Sequence, residues 1–370
     1  MRVLRSDGDA LTHARVGAGA RLDPIDQQLL NEVQDRFPLV PEPFAELAAR
    51  SGTVERDVIA RLSALRASGV LRQVGAIFDT KALGYQSSLV AMRIPEERLA
   101  AAAAVVNGHP GVSHNYRRTH VFNMWFTIAV PPGSSLQAHV EVLHRLARAD
   151  STRILPTLHL FKIGVRLDMT GERPMDDTSD PRYTHEKLER ALGHELTGRD
   201  IEVIRVLQGD LPLEPHPFAA AARALDTTVE GLIEELRELQ KRGYLRRLAA
   251  IVRHRQAGFI ANAMVVWNVP EDTILEIGQA MARYTAISHC YQRPTYEDWC
   301  YNLFTMIHAR NESECEEFVA LLAERHGLDD YALLYSTAEL KKVRLAYFTP
   351  GLEAWERRHL SERQGRRANI

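Results

Sequence analysis

Gly111-Val112-Ser113-His114-Asn115-Tyr116-Arg117-Arg118 returns as Ala286-Ile287-Ser288-His289-Cys290-Tyr291-Gln292-Arg293, 175 positions further on. The shared core is Ser-His-x-Tyr-x-Arg. Such a distant return of the same polar residues marks the chain as one unit written twice, and the period makes each copy domain-sized rather than a solenoid repeat. The correspondence extends outward from the motif. Residues 22–37 answer to 196–211, with Asp26 on Asp200, and Pro43-Phe44 answers to Pro217-Phe218. Gly69-Val70-Leu71-Arg72 answers to Gly243-Tyr244-Leu245-Arg246, and Pro95-Glu96 to Pro270-Glu271. Beyond the motif the second copy is longer, so Phe122-Asn123-Met124-Trp125 meets Tyr301-Asn302-Leu303-Phe304.

Each copy divides into two rhythms. Asp23 caps a first helix with Pro24 at its first position, where the missing N–H costs nothing. Ile25, Leu29, Leu30 and Val33 form its apolar stripe. A second helix over 43–50 turns Phe44, Leu47 and Ala48 inward and breaks at Gly52. Thr53 caps a third, carrying Val54, Val58, Leu62 and Leu65, which stops at Gly69. Residues 70–78 then alternate like a two-stranded wing, which completes a winged helix-turn-helix. The remainder reads strand 88–94, helix 95–107, strands 111–118 and 121–130, helix 135–147 and final strand 154–167. That βαββαβ order is the ferredoxin-like split βαβ.

The expected fold is therefore α+β, a tandem repeat of winged helix-turn-helix plus ferredoxin-like domain, an arrangement that resembles the Lrp/AsnC effector type, forming a pseudo-dimer within one chain. The expected boundaries are 1–21, a mobile N-terminal tail; 22–86 and 190–260, the winged helices; 87–167 and 261–348, the ferredoxin-like domains; 168–189, a polar linker; and 349–370, a frayed arginine-rich tail or partner contact.

Composition narrows the function. The 370 residues are 45% hydrophobic and 25% charged, with a net charge of −2. That is an ordinary globular balance without the basic excess of nucleic-acid or membrane binders. Cys290, Cys300 and Cys315 form no C-x-x-C pair, and their odd count points to reduced thiols and a cytoplasmic protein. No apolar run approaches the ~18–20 residues that span a bilayer, and the first 20 residues lack the apolar core of a secretory signal.

A winged helix followed by a ferredoxin-like domain resembles the Lrp/AsnC transcription regulators, so a heme-responsive regulator is the alternative function. The third helix would have to meet phosphates. In copy one it offers Arg56, Arg61 and Arg66 against Glu55 and Asp57. In copy two it offers Glu230, Glu234, Glu235 and Glu238 against Arg237 and Lys241, which a polyanion would repel. No nucleic-acid partner is expected, and the winged helices read as packing or assembly modules.

On a strand, alternate side chains share a face. His114, Tyr116 and Arg118 thus line up, as do His289, Tyr291 and Arg293. A guanidinium grips carboxylates bidentately, and a histidine can move a proton near neutral pH or ligate iron. His289, Cys290 and Cys300 lack the spacing of a zinc site, and no metal of the protein's own is expected.

At these residues the chain resembles the siroheme decarboxylases, the Lrp/AsnC-like proteins of heme d1 biosynthesis and of the alternative heme pathway. The two Ser-His-x-Tyr-x-Arg rows carry the resemblance. So do the aromatic-Asn-hydrophobic-aromatic segments 122–125 and 301–304, the tandem fusion of the D–L type, and basic last strands with Lys162 and Arg166, Lys341 and Arg344. It covers about residues 22–167 and 190–348.

The resemblance implies non-oxidative loss of CO2 from the C12 and C18 acetates of siroheme, giving 12,18-didecarboxysiroheme, in denitrification. The macrocycle would be its own electron sink, so no cofactor beyond the substrate's iron is implied. His114 and His289 would be general acids, or one the acid and the other an axial ligand of the substrate iron. Arg118 and Arg293 would hold a carboxylate that Tyr116 and Tyr291 orient. Arg117, Lys162, Arg166, Lys341, Arg344, Arg72, Arg246 and Arg247 are candidate carboxylate contacts, and Trp125 and Phe304 core or pocket wall.

Siroheme is the expected partner, with a homodimer and other heme d1 biosynthesis proteins as further expectations and no membrane. The copies differ in two places: Arg117 stands against Gln292, and the turn after Arg293 is longer, with Pro294, Glu297 and Asp298. Acids there would disfavour a carboxylate-rich ligand, which points to copy one as the working copy.

Overall fold

In the computed structural model, residues 22–35, 37–164, 174–181, 185, 186, 189, 195–252 and 261–360 are described. Helices α1 (Pro24–Asp35), α2 (Pro43–Ser51) and α3 (Glu55–Ala67) lead into β1 (Leu71–Phe78). Asp23 caps α1 as expected, accepting from the Asp26 amide at 2.8 Å. Thr53 does not cap α3. Val54 holds that position, and the Thr53 hydroxyl donates instead to the Asp57 carboxylate at 2.9 Å. In copy two, α6 (Gly198–Leu207), α7 (Ala219–Ala224) and α8 (Val229–Lys241) lead into β7 (Leu245–Val252). Thr197 and Asp200 close a capping box at the start of α6.

The wings differ from expectation. Among the described residues neither forms a hairpin within its copy; β1 pairs antiparallel with β7, Val74 opposite Ala250 and Gly75 opposite Ala249. The small residues at 75–76 and 249–250 let the two strands bury the same pattern of positions. Both helical triplets consequently share one core, in which Leu29, Phe44 and Leu62 cluster with Val203, Phe218 and Leu236.

The ferredoxin-like halves are β2 (Gln86–Arg93), α4 (Leu99–Asn107), β3 (Val112–Arg118), β4 (Met124–Val130), α5 (Leu136–Ala147), β5 (Ser151–Leu155) and β6 (His159–Ile163), then β8 (Ala261–Trp267), α9 (Ile274–Arg283), β9 (Ile287–Gln292), β10 (Leu303–Ala309), α10 (Glu312–His326) and β11 (Tyr331–Lys342). They merge into one nine-stranded order, β5-β2-β4-β3-β11-β8-β10-β9-β6. The expected single last strand of copy one is two strands. β5 pairs with its own β2, whereas β6 pairs with β9 of the other copy. Pro156 cannot donate to a ladder, and the strand breaks there. Tyr335 stands at the matching place after Leu334, and β11 runs unbroken from β8 onto β3 of the first copy. The ends of the order, β5 and β6, are consecutive in the chain, joined by residues 156–158. Trp125, Trp299 and Phe304 fill the interior between the copies.

The expected C-terminal tail begins as a helix, α11 (Pro350–His359). Leu352 and Trp355, three apart, are buried among charged neighbours, so the polar composition concealed one apolar face. Trp355 stacks on His139 with centroids 4.7 Å apart. A buried relay holds it. The Gly111 amide donates to His109 Nδ1 (3.0 Å), which makes His109 Nε2 the donor to His139 Nδ1 (2.9 Å). His139 Nε2 in turn donates to the Glu356 carboxylate (2.9 Å). Burial pushes the His109 imidazole down to about 3. The expected N-terminal tail, residues 361–370 and most of the linker lie outside the described residues. No helix among the described residues is long and apolar enough to cross a membrane.

Candidate active site

Gly111 opens β3 where a Cβ would overlap the carbonyl oxygen of Ala129. A bulge follows between Val112 and His114, and from there the strand alternates. Asn115 reaches α4, donating to Asn107 Oδ1 at 3.0 Å, and Arg117 reaches Glu96 at 2.7 Å. The helical layer thus takes the odd-numbered side chains. His114, Tyr116 and Arg118 face the other way, into the space between the copies. The His114 and Tyr116 rings lie 6.2 Å apart, and the Arg118 guanidinium sits 5.5 Å from the Tyr116 centroid. His289, Tyr291 and Arg293 repeat this at 5.9 and 4.8 Å.

In each copy the serine bonds the adjacent imidazole, with Ser113 Oγ and Ser288 Oγ both 2.9 Å from Nδ1 of His114 and His289. Burial pushes His114 down to about 4 and His289 down to about 3, and the neighbouring Arg246 guanidinium adds to the depression of His289, so both rest as neutral imidazoles at pH 7. What stands behind the serine differs. Ser113 Oγ meets Thr127 Oγ1 at 2.9 Å, whereas Ser288 Oγ meets His308 Nε2 at 2.9 Å. His308 occupies the repeat position of Ala129. Aligning the copies residue by residue exposes that difference, which the reading of the motifs alone passed over.

Most candidate cations are engaged by backbone carbonyls of the opposite copy. Arg118 Nη1 donates to Leu334 O at 2.7 Å and Arg293 Nη1 to Leu155 O. Arg72 reaches Lys342 O at 3.2 Å, and Arg246 reaches Ile163 O at 3.0 Å. Lys341 caps the end of α4 through Asn107 O (2.7 Å), and Lys162 caps the end of α9 through Tyr284 O (2.7 Å). Arg344 lies beside wing residue Gly75, and Arg166 falls outside the described residues. Trp125 is 1% exposed, its indole donating to Phe122 O at 2.6 Å, and it belongs to the inter-copy core rather than to a pocket wall.

The two expected asymmetries lie away from this face. Gln292 points to Glu271 (3.4 Å) as Arg117 points to Glu96. The acidic turn is held by Arg153 of copy one, Nε to Asp298 Oδ1 at 2.8 Å and Nη2 to Oδ2 at 2.7 Å, so the charge of Asp298 is matched.

A cavity of about 350 Å³ opens where the copies meet. His114, Ser113 and Ala129 come from copy one, with Asp79 and Lys81 from the turn after its wing; Tyr291, Arg293 and Arg246 come from copy two. The site is therefore composite, not the property of one copy. Its size lies at the low end of small-molecule pockets, roughly 300–1,000 Å³. Arg293 is 8% exposed and keeps its Nε without an acceptor among the described residues, as does Arg118 at 5%. Burial pushes the Tyr291 phenol up to about 12. The counterparts of 79–81 in copy two fall within 253–260, outside the described residues. No metal-holding group of histidine, cysteine, aspartate and glutamate side chains is present among the described residues.

On the third helix of copy one, Arg61 is engaged by Asp23, Asp26 and Asp57 at 2.6–3.0 Å. Paired wings, an exchanged last strand and a cation-lined cavity between copies define a tandem helix-turn-helix and AsnC-like ligand-binding protein with an inter-copy site. Residues 82–162 and 256–341 match the AsnC-like ligand binding domain, and residues 26–72 and 200–246 match the siroheme decarboxylase NirDL-like HTH domain. The chain belongs to the siroheme decarboxylase family, of the fused type. It is 40% identical over 329 residues to the siroheme decarboxylase of Hydrogenobacter thermophilus, covering 89% of this chain and 96% of that one. A siroheme decarboxylase beta subunit of Methanosarcina barkeri is 41% identical over 144 residues, 39% of this chain and 95% of that subunit. The crystal structure of the siroheme decarboxylase NirDL in co-complex with an iron-uroporphyrin III analogue superposes with a TM-score of 0.69 at 35% identity, covering 91% of this chain and 99% of that one.

Proposed function

We propose that this chain decarboxylates siroheme at its C12 and C18 acetates, giving 12,18-didecarboxysiroheme for heme d1 formation. Each event is R–CH2–COO⁻ plus a proton giving R–CH3 plus CO2, with the conjugated macrocycle holding the electron pair between the two halves of the step. The observation that carries the reading is the composite cavity, in which a histidine of one copy meets a buried tyrosine–arginine pair of the other. Arg293 keeps one N–H for a carboxylate while another secures Leu155. Tyr291 stays a phenol and so donates to that carboxylate. Ser113 fixes the His114 ring through Nδ1 and leaves Nε2 for the substrate. Approaching carboxylates raise the imidazole's proton affinity, so His114 takes up the proton that it delivers to the methylene carbon. His289, neutral and backed by Ser288 and His308, suits either proton handling or contact with the substrate's iron.

Anaerobic incubation with siroheme, followed by product mass, tests the reading. Two losses of CO2 are expected. His114→Ala and His289→Ala should each lower turnover by roughly 100-fold or more, the usual range for a lost general acid. Tight binding of unchanged siroheme would make the protein a sensor, and full activity in both variants would overturn the assigned roles.

A further inference from the structure

Among the described residues, three cationic side chains line the cavity, Lys81, Arg246 and Arg293, against one carboxylate, Asp79. That carboxylate is turned to its own loop, Oδ1 accepting from the amides of Lys81 (3.0 Å) and Ala82 (2.9 Å). The loop is closed further by Leu83 N to Asp79 O at 3.0 Å and Tyr85 N to Thr80 O at 3.1 Å. Lys81 therefore stands on a fixed turn at the mouth between wing and sheet.

The three cations are not used alike. Arg246 is bonded to Ile163 O at 3.0 Å and Arg293 to Leu155 O. Among the described residues, Lys81 Nζ has only Thr157 O, at 3.4 Å, which is longer than an effective N–H···O bond of about 2.7–3.2 Å. An ammonium carries three donors, and here at most one is weakly engaged. Lys81 is half-buried, and both that burial and the neighbouring Arg293 disfavour its charge, opposed by Asp79. Holding like charges together in a partly desolvated cavity is unfavourable until an anion enters between them.

We propose that Lys81 anchors a substrate carboxylate, closing with Arg293 on one acid group of the macrocycle and so selecting densely carboxylated tetrapyrroles over sparsely carboxylated ones. This rests on the decarboxylase reading for the identity of the ligand. In the repeat of the sequence, Lys81 corresponds to Arg255, which lies outside the described residues.

Spectral titration of the full chain with siroheme and with protoheme tests the assignment, using the wild type, Lys81→Met and Lys81→Arg. The Met variant should weaken siroheme binding about tenfold, with protoheme affinity held within about twofold, as expected for one lost charge-assisted contact. Lys81→Arg should restore most of the affinity. Unchanged siroheme affinity in the Met variant, or equal losses for the two hemes, overturns the proposal. A wild type that binds siroheme without decarboxylating it refutes the proposed activity and still leaves the titration to decide Lys81.

Discussion

Arg118 Nη1 donates a 2.7 Å hydrogen bond to the carbonyl oxygen of Leu334, a residue of the other copy. Arg293 makes the matching bond to Leu155. Both carbonyls sit where a last strand leaves its own sheet for the neighbouring copy. The arginine of each Ser-His-x-Tyr-x-Arg row is thus a clasp for the strand exchange as well as a wall of the space between copies. Replacing Arg118 by Met removes this charge-assisted bond between the copies, which costs about 1.5–3 kcal/mol. Urea denaturation should show that loss as a lower midpoint.

The Ala129–His308 difference makes the copies chemically unequal. Ala129→His would place an imidazole against Ser113 and His114 in the cavity wall, as His308 stands against Ser288 and His289. Its added volume should weaken siroheme binding by about tenfold or more, since overpacking a filled site costs roughly 1–3 kcal/mol. His308→Ala leaves that cavity unaltered and removes the support behind His289, so turnover should fall with siroheme affinity retained. Titration and single-turnover rates on the two variants check both outcomes.

Stability should decline on acidification from an unusually high pH. His109, His114, His289 and His308 are all depressed by burial, to about 3, 4, 3 and 4, from an ordinary value of 6.5. Between those limits the unfolded chain binds protons that the folded chain refuses. Their contribution is therefore complete above pH 6.5 and erodes as pH falls toward 3–4, by about 1.4 kcal/mol per pH unit for each histidine that differs. Denaturation midpoints at pH 7.5, 6 and 5 should fall in that order; midpoints flat across this range would contradict the burial of these rings.

Asp298→Asn should leave siroheme affinity within about twofold, because Arg153 already matches the charge, and should cost at most about 1 kcal/mol as a largely exposed pair. A marked gain in affinity would mean that the turn repels the ligand after all.

The tandem division was legible because Ser113-His114 and Ser288-His289 repeat in unmistakable polar spacing, and the helices because Leu29, Leu62, Val203 and Leu236 keep a helical period that burial then obeys. The row itself was legible from alternation, once past the bulge at Val112. Partner choice was not. β1 carries a strand pattern that fits a hairpin in its own copy as well as a ladder with β7, and only packing of both helical triplets decides. α11 was hidden because its apolar face is two residues wide, Leu352 and Trp355.

Residue spacing by itself determined that this chain is two copies of one α+β unit, that each presents His, Tyr and Arg on one strand face, and that the third helix of the second copy carries four glutamates where a DNA reader needs cations. Periodicity is a local property, and local geometry is enough to set it. Only the tertiary structure decided that His114 of one copy lines the same cavity as Tyr291 and Arg293 of the other, that Lys162 and Lys341 cap helices, and that Lys81 faces that cavity. Those outcomes depend on the exchange of the last strands, and where a strand pairs is decided by which backbone donors and carbonyls remain unsatisfied across the whole fold.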